Sequence, residues 1–457
     1  MSKSLSLEKK TAPESIKLEK DRVHELVPGR KVLPSWYRWE LLVILFLAYF
    51  FHQSDRAIYG VVAHSIQDEF QISDNVLYAT RTVMFTLMAL VVPLAGYVGD
   101  RFNKRNLLIG CLFCWSVATI CTGAVSGVVG MIVFNSIGVS VAEAFYGPAA
   151  TSLIAAYHKE TRSIALSVHQ TAVYLSVIFC GGIAGLISHH FGWRATFYAF
   201  GGVSILIGII LLFRLKDPAK VQLSDGSVIE TPAAQEKPSV IEFLHMIFGN
   251  RSALLLTVGF TAIVFVNNAY LNIVSKFLQE KFGLSEASAG WNGMFWHHVA
   301  AFGFIYVGGL LSDKIARRYP TFRPKQQFLA MAIGAPVVAC IGVAQSLTAV
   351  YALFFLMGVC RGFYECNTHA SVFETVPVKY RSTTVGFMIM FAFIIGAWSA
   401  QLVGLLKDRF GVEDGYRYGF MMLGAAWVIG AICVGIAAFG TFAKDRQKRI
   451  DAEANAA

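Results

Sequence analysis

The chain has 457 residues, 55% of them hydrophobic and only 15% charged, whereas soluble domains run at roughly 45–50% apolar and about 25% charged. That excludes a secreted disulfide scaffold and a disordered chain, argues against a cytosolic enzyme, and points to a polytopic helical membrane protein. The net charge of +10 would raise the question of nucleic acid in a soluble protein. Here it reads as Lys and Arg collected in the loops on one side of a membrane, and no nucleic-acid partner is expected. The eight cysteines all lie in apolar stretches, and the Cys111-x-x-Cys114 pair has no further ligand near it in sequence. They read as buried thiols, so no metal and no cofactor is expected.

Residues 1–38 are polar and carry nine Lys/Arg, and no apolar segment precedes residue 40. This is a cytoplasmic tail by expectation, not a cleaved signal peptide. Apolar spans then follow at 40–63, 75–97, 106–127, 129–153, 163–187, 195–214, 252–275, 288–311, 325–346, 348–374, 383–406 and 418–443. All twelve should be helices, because lipid cannot satisfy an open backbone. Residues 215–250 form the one long polar connection and split the spans six and six. The predicted organisation is a tail (1–38), a six-helix bundle (39–214), a cytoplasmic linker (215–250), a second bundle (251–443) and a cytoplasmic tail (444–457). Thirty of the 39 Lys and Arg fall in the tails and in the loops on the same side, against six in the alternate loops. That bias places both termini inside, in a plasma (inner) membrane. The remaining three, Arg56, Arg81 and Arg361, lie within spans.

An internal repeat is visible. The loop after span 2 reads Gly96-x-x-x-Asp100-Arg101-x-x-Lys104-Arg105, and the loop after span 8 reads Gly309-x-x-x-Asp313-Lys314-x-x-Arg317-Arg318. Thr161-Arg162-Ser163 matches Tyr380-Arg381-Ser382, and Phe191-Gly192 matches Phe410-Gly411. Two copies of one six-helix unit with the same inner loop is the architecture expected of a rocking transporter.

At these loops the chain resembles the major facilitator superfamily over about residues 40–443. The usual second Gly of the loop signature is Asn103 in one copy and Ala316 in the other; Asn tolerates a left-handed turn better than Ala. The resemblance implies an all-α fold of two pseudo-symmetric six-helix bundles. It also implies a gating role for Gly96, Asp100, Arg101, Arg105, Gly309, Asp313, Lys314 and Arg317, with each Asp facing the basic residues of its own loop. Two subfamilies look similar. Ser54-Asp55-Arg56 followed by Ile66-Gln-Asp-Glu-Phe resembles anion:cation symporters, which carry sugar acids and other organic anions. Ala142-Glu143-Ala144-Phe-Tyr146 resembles spinster-type lipid transporters. Both usually carry an Arg seven residues before the span-4 Glu; here that position is Ser136.

Charge inside a membrane is costly and marks functional candidates. Asp55, Arg56 and Arg81 sit at similar depth, so an Asp55–Arg81 or Asp55–Arg56 pair is expected, serving either proton coupling or a static tie between spans 1 and 2. A carboxylate that alternates between an Arg partner and a proton couples transport to a proton gradient. His52, one turn before Asp55, extends the relay. Glu143 must find its partner on another helix or be neutral. Arg361 and Glu365 are i,i+4 on span 10 and can meet. The Arg361 fork suits a substrate carboxylate, with a self-contained pair as the rival reading. Asn267, Asn268, Tyr270 and Asn272 on span 7, and Trp296 and His297 on span 8, offer donors and acceptors for a hydroxyl-rich solute or bonds between helices. His169, Gln170, Tyr174, Trp398 and Gln401 are weaker candidates.

The function expected is secondary active transport by alternating access, with a proton coupled to a small organic anion such as a sugar acid or carboxylate, by a monomer in the bilayer. Export of an amphiphilic or lipid-like solute is the alternative. No H-E-x-x-H, G-x-S-x-G or P-loop is present, so no enzymatic activity is expected.

Overall fold

The structure, a computed structural model, describes residues 30–158, 161–224, 229 and 239–456. Most of the predicted N-terminal tail lies outside the described residues. The apolar runs of the sequence all become helix. The first half holds α1 (Tyr37–Phe70), α2 (Asp74–Arg101), α3 (Lys104–Gly123), α4 (Val128–Tyr157), α5 (Arg162–Phe191) and α6 (Trp193–Arg214). The second holds α7 (Arg251–Phe282), α8 (Glu286–Ala316), α9 (Phe322–Ile341), α10 (Leu347–Thr375), α11 (residues 381–410) and α12 (residues 412–441). Ten stretches meet a length-and-apolarity requirement for crossing a membrane. Two features reconcile ten with twelve. Arg323, Lys325, Gln326 and Gln327 make the start of α9 polar, and α11 and α12 run together as one stretch, Val378–Ala454.

That stretch reverses direction at Gly411. A Cβ on Gly415 would lie 2.4 Å from Lys407 Cα, and one on Gly419 2.8 Å from Val403 Cγ1, as in a tight antiparallel hairpin centred on residue 411. The backbone makes the turn with φ 80° and ψ −178° at Gly411, and with φ 83° and ψ 159° at Gly192 between α5 and α6. Only glycine occupies this region cheaply; another residue stores about 1–3 kcal/mol there. The repeated Phe-Gly is therefore the same turn made twice. Gly411→Ala is expected to lower the thermal midpoint by the equivalent of about 1–3 kcal/mol. Gly110→Ala, at an open helical position, is expected not to lower it; paired melting curves in detergent check both.

The helices alternate in direction, which gives the molecule two faces: a linker face bearing the connection between α6 and α7, and a far face bearing the α1–α2 and α11–α12 turns. Two features depart from a purely helical reading. Lys31–Leu33 (β1) and Val221–Leu223 (β2) form a two-stranded parallel sheet on the linker face, and within the predicted polar connection Val240–Gly249 is an amphipathic helix. Its Phe243 packs on Phe387 of α11 while Ile241 and Phe248 stay exposed. Its Glu242 accepts from Tyr380 and Lys379, which hold that carboxyl below its ordinary value.

The bundles meet closely toward the far face. A Cβ on Gly60 of α1 would fall 2.0 Å from Leu271 O of α7, and one on Gly181 of α5 2.9 Å from Gly290 O of α8. Small residues let membrane helices approach to backbone contact. Among the described residues, every hydrogen bond and ion pair joining the bundles lies between mid-depth and the far face, and none lies at the linker face.

Candidate functional site: buried charge between two bundles

Glu143 is buried on α4, and its partner comes from α1. Arg56 Nη2 and Nε donate to Glu143 Oε1 at 2.8 and 3.1 Å. The Arg missing at position 136 is thus replaced by one from a neighbouring helix, and Ser136 instead donates from Oγ to Thr80 O at 2.7 Å. His52 Nδ1 stands 4.0 Å from the same carboxylate, so it extends the Glu143 pair rather than an Asp55 relay. Removing one member of a buried pair leaves the other uncompensated, at about 3–5 kcal/mol. Arg56→Met is therefore expected to destabilise strongly, and adding Glu143→Met to it to recover most of the loss; thermal midpoints of the two variants test this.

Asp55 pairs with neither arginine. It accepts from Trp115 Nε1 and from Thr119 Oγ1 of α3, the latter at 3.0 Å, and its Oδ1 has no partner. The expected Asp55–Arg56 or Asp55–Arg81 pair is absent because helix rotation turns Asp55 into the α1–α3 interface. Neither Trp115 nor Thr119 stands out in the sequence.

Arg81 is fully buried on α2 and has no carboxylate among its partners. Its Nε donates to Asn272 Oδ1 at 3.0 Å and its Nη1 to Asn135 Oδ1 at 3.2 Å; Nη2 has no partner. Tyr59 and Phe85 flank the guanidinium, with ring centres at 4.6 and 5.1 Å. Asn272 belongs to α7, so Arg81 bridges the bundles. Asn135 reaches it from a π-helical turn, Met131–Gly138, inside α4. Such turns are uncommon and re-aim side chains, and nothing in the local sequence announces this one.

Arg361 and Glu365 do pair, Nε to Oε1 at 2.8 Å. The Arg361 fork also donates to Asn267 and meets His297 Nε2 at 3.2 Å. Glu365 accepts from Tyr174 of α5, which ties this cluster to the first bundle. The other span-7 and span-8 candidates serve packing: Tyr270 donates to Gly293 O at 2.6 Å, Trp296 to Asn292 Oδ1 at 3.2 Å and stacks on Tyr351. Asn268 keeps an unpartnered Nδ2 beneath Gly396. Gln401 accepts from Thr82, again across the bundles, at 2.8 Å.

A further cluster closes the far face. Asp74 of α2 binds Lys276 of α7 and, at 2.7 Å, Lys407 of α11; Glu280 binds Lys407 at 2.6 Å and Lys276 at 3.6 Å, and accepts from Tyr416. Asp408 caps α2 through the Asp74 and Asn75 amides at 3.0 and 2.9 Å. Lys276 and Lys407 lie one residue beyond the predicted ends of spans 7 and 11, at 275 and 406, yet both are buried. Counting acids beside cations would have flagged them, since Asp74 and Glu280 supply the matching charges at span ends.

In the second copy of the repeated loop, Asp313 pairs not with Lys314 or Arg317 but with Arg323 in the first turn of α9, at 2.7 Å; Arg323 also binds Glu374 at 2.9 Å. Lys314 and Arg317 are exposed, and Gly309 lies beside Cys366. In the first copy, the side chains of Asp100 and Arg101, and Gly96, lie outside the described residues. Arg105 donates to Leu212 O and Leu215 O and so caps the end of α6. A loop Asp reaching the next helix rather than its own neighbours follows from the helix continuing to Ala316, which points Lys314 and Arg317 to solvent.

Two like bundles that share buried charges across their interface have the architecture of a membrane transporter. The chain matches the Major Facilitator Superfamily over residues 45–400 and belongs to it. It is 24% identical to protein spinster of Drosophila melanogaster over 84% of this chain, and spans 64% of that relative's length. It is 22% identical to the probable galactarate/D-glucarate transporter of Bacillus subtilis, over 87% of this chain and 91% of the relative. Its fold is similar to that of a bacterial homolog of the human lysosomal transporter spinster, crystallised inward-facing and unoccupied. That match has a TM-score of 0.78 and 20% identity and covers 90% of this chain and 98% of the other. A D-xylose–proton symporter gives a TM-score of 0.70 at 14% identity, over 89% and 98%.

Proposed function

We propose that the protein is a proton-coupled symporter of a small organic anion, a sugar acid or carboxylate. The observation that carries this reading is that Arg81 and Asp55, two buried charges of opposite sign, are not spent on each other or on any ion pair. Arg81 is a cation bridging the bundles with one guanidinium nitrogen free, and a carboxylate is the partner its fork fits. Asp55 is the carboxyl we assign to the coupling proton. Neutralising both as solute and proton enter together lets the bundles rock without stranding charge in a low-dielectric interior. Arg361, with Asn267 and His297, holds the polar end of the solute, and the Arg56–Glu143 pair is the second proton station. The likeness to a galactarate/D-glucarate transporter supports the anion. The basic bias of the linker face supports a cytoplasmic position for it, and on that reading the present arrangement, fastened at the far face, is closed to the outside.

The alternative, export of an amphiphile, draws on the likeness to spinster and on the apolar contact of Phe85 and Met88 with Phe393 and Ala397 between the bundles. The two readings part at Asp55. Under symport, Asp55→Asn in proteoliposomes abolishes accumulation of a sugar acid driven by an imposed pH gradient yet retains exchange of labelled for unlabelled solute. Unchanged accumulation would remove Asp55 from coupling.

A further inference from the structure

Arg105 of the repeated basic loop, the first strand and the segment after α6 build a feature at the linker-face end of the first bundle that the proposed solute and proton sites do not include. Lys31 of β1, Arg105 in the first turn of α3, Lys216 after α6 and Lys220 before β2 line one concave pocket of about 360 Å³, with Asp217 the only carboxylate lining it among the described residues. Among the described residues none of these four cations has an ion pair; Arg105 donates to Leu212 O, Leu215 O and Asn106 Oδ1 and so contributes its charge, Lys216 Nζ donates to Phe213 O, and Asp217 accepts from Asn103 Nδ2 at 2.6 Å. The N-terminus of α3 opens into the same pocket and adds its partial positive charge. Phe102 and Phe213 beside it are 63% and 68% exposed, as expected where apolar side chains meet lipid.

Asn106 lines this pocket and also the head of a second cavity, an apolar groove of about 560 Å³ between α3 and α4. The groove runs down Leu107, Gly110 and Cys114 on one wall and past Phe145, Val141 and Ile137 on the other. From Asn106 to Cys114 it extends roughly 12 Å toward the membrane centre at 1.5 Å per residue. Its floor is open at Gly110, where an added Cβ would meet nothing within 4 Å. A polar compartment with excess positive charge at headgroup depth, continuous with an apolar channel at acyl-chain depth, has the chemistry of a phospholipid.

The geometry points to a specific binding site for an anionic phospholipid, its phosphate among Lys31, Arg105, Lys216 and Lys220 and one acyl chain in the α3–α4 groove. Basic residues near a membrane surface contribute on the order of 1 kcal/mol each toward anionic lipid. Because β1 contributes Lys31 and β2 adjoins Lys220, the lipid would also clamp the sheet that fastens the N-terminal segment to the central connection.

The test is retention of dioleoyl phosphatidylglycerol against dioleoyl phosphatidylcholine by the purified full-length chain, counted by native mass spectrometry. The site requires a preference for phosphatidylglycerol of about tenfold or more. It requires that Lys31→Ala/Lys216→Ala/Lys220→Ala lower that retention at least tenfold. It also requires that Gly110→Leu, which fills the groove without altering charge, lower it several-fold. Should the triple variant not fold, Lys31→Ala alone, on an exposed strand position, is expected to cost about fivefold. Glycerol 3-phosphate, the headgroup without chains, is expected not to displace the lipid at equal concentration. Equal retention of the two lipids overturns the proposal. Wild-type retention by Gly110→Leu also overturns it, by reducing the pocket to surface charge attraction. Displacement by glycerol 3-phosphate overturns it in favour of a small-anion pocket.

Discussion

Replacing Arg81 by Met is expected to reduce uptake of a carboxylate solute at least about thirtyfold while leaving the protein folded. The guanidinium holds no carboxylate of the protein, so its removal strands no opposite charge. What the fold loses is two donors to Asn272 and Asn135, worth about 1–3 kcal/mol where an acceptor is left unpaired. What the solute loses is a desolvated, hydrogen-bonded charge partner, and truncating one side of such a contact costs about 2–5 kcal/mol, or roughly thirty- to several thousandfold. Arg81→Lys keeps the charge but not the two-pronged donor geometry and should fall between Met and wild type. Initial uptake rates with a parallel melting curve separate the two costs. Normal anion uptake by Arg81→Met would make Arg81 a strut between α2 and α7 and no more.

The second large effect is expected at the far face. Asp74→Asn leaves Lys276 and Lys407 facing each other with Glu280 alone to offset them. Breaking a buried network by one member costs about 3–5 kcal/mol, and under the alternating transport proposed above the cost falls on the far-face-closed conformation, in which Asp74 of α2 meets Lys276 and Lys407. A bias of that size changes the ratio of two conformations more than a hundredfold. Spin labels at Val76 and Val412, both exposed and on opposite bundles, are expected to move apart in Asp74→Asn when read by double electron–electron resonance. An unchanged distance distribution would mean that glycine-mediated packing, not charge, holds this face shut.

Much of the architecture is legible before any coordinates. Span positions follow from apolar runs, and the twofold repeat follows from the loop motif and from Phe191-Gly192 and Phe410-Gly411, whose glycines make the same turn. The set of buried charges is legible too, because Asp55, Arg56, Arg81, Glu143, Arg361 and Glu365 stand out against apolar surroundings. Their pairing is not. Depth along a helix can be read from sequence, but rotation about its axis and the neighbour it faces depend on how twelve helices pack. Asp55 and Arg56 are adjacent in sequence and therefore point about 100° apart, one to Trp115 and the other to Glu143. Arg361–Glu365 is legible because both ends lie one turn apart on one helix. The π turn that delivers Asn135 has no local sequence mark. Lys276 and Lys407 read as loop cations only because charge was used to end the spans, and α7 runs on past Lys276 to Phe282.

Transport by purified protein in liposomes, with an imposed and then collapsed pH gradient, weighs most directly whether the buried Arg81 and Asp55 serve an anion and a proton. Sugar acids are expected to accumulate against their gradient only while the proton gradient lasts, with neutral sugars and lysolipids left behind. Movement of neutral sugars or lysolipids while sugar acids stay outside would contradict the assignment of Arg81 to a carboxylate, and with it the symport of anion and proton.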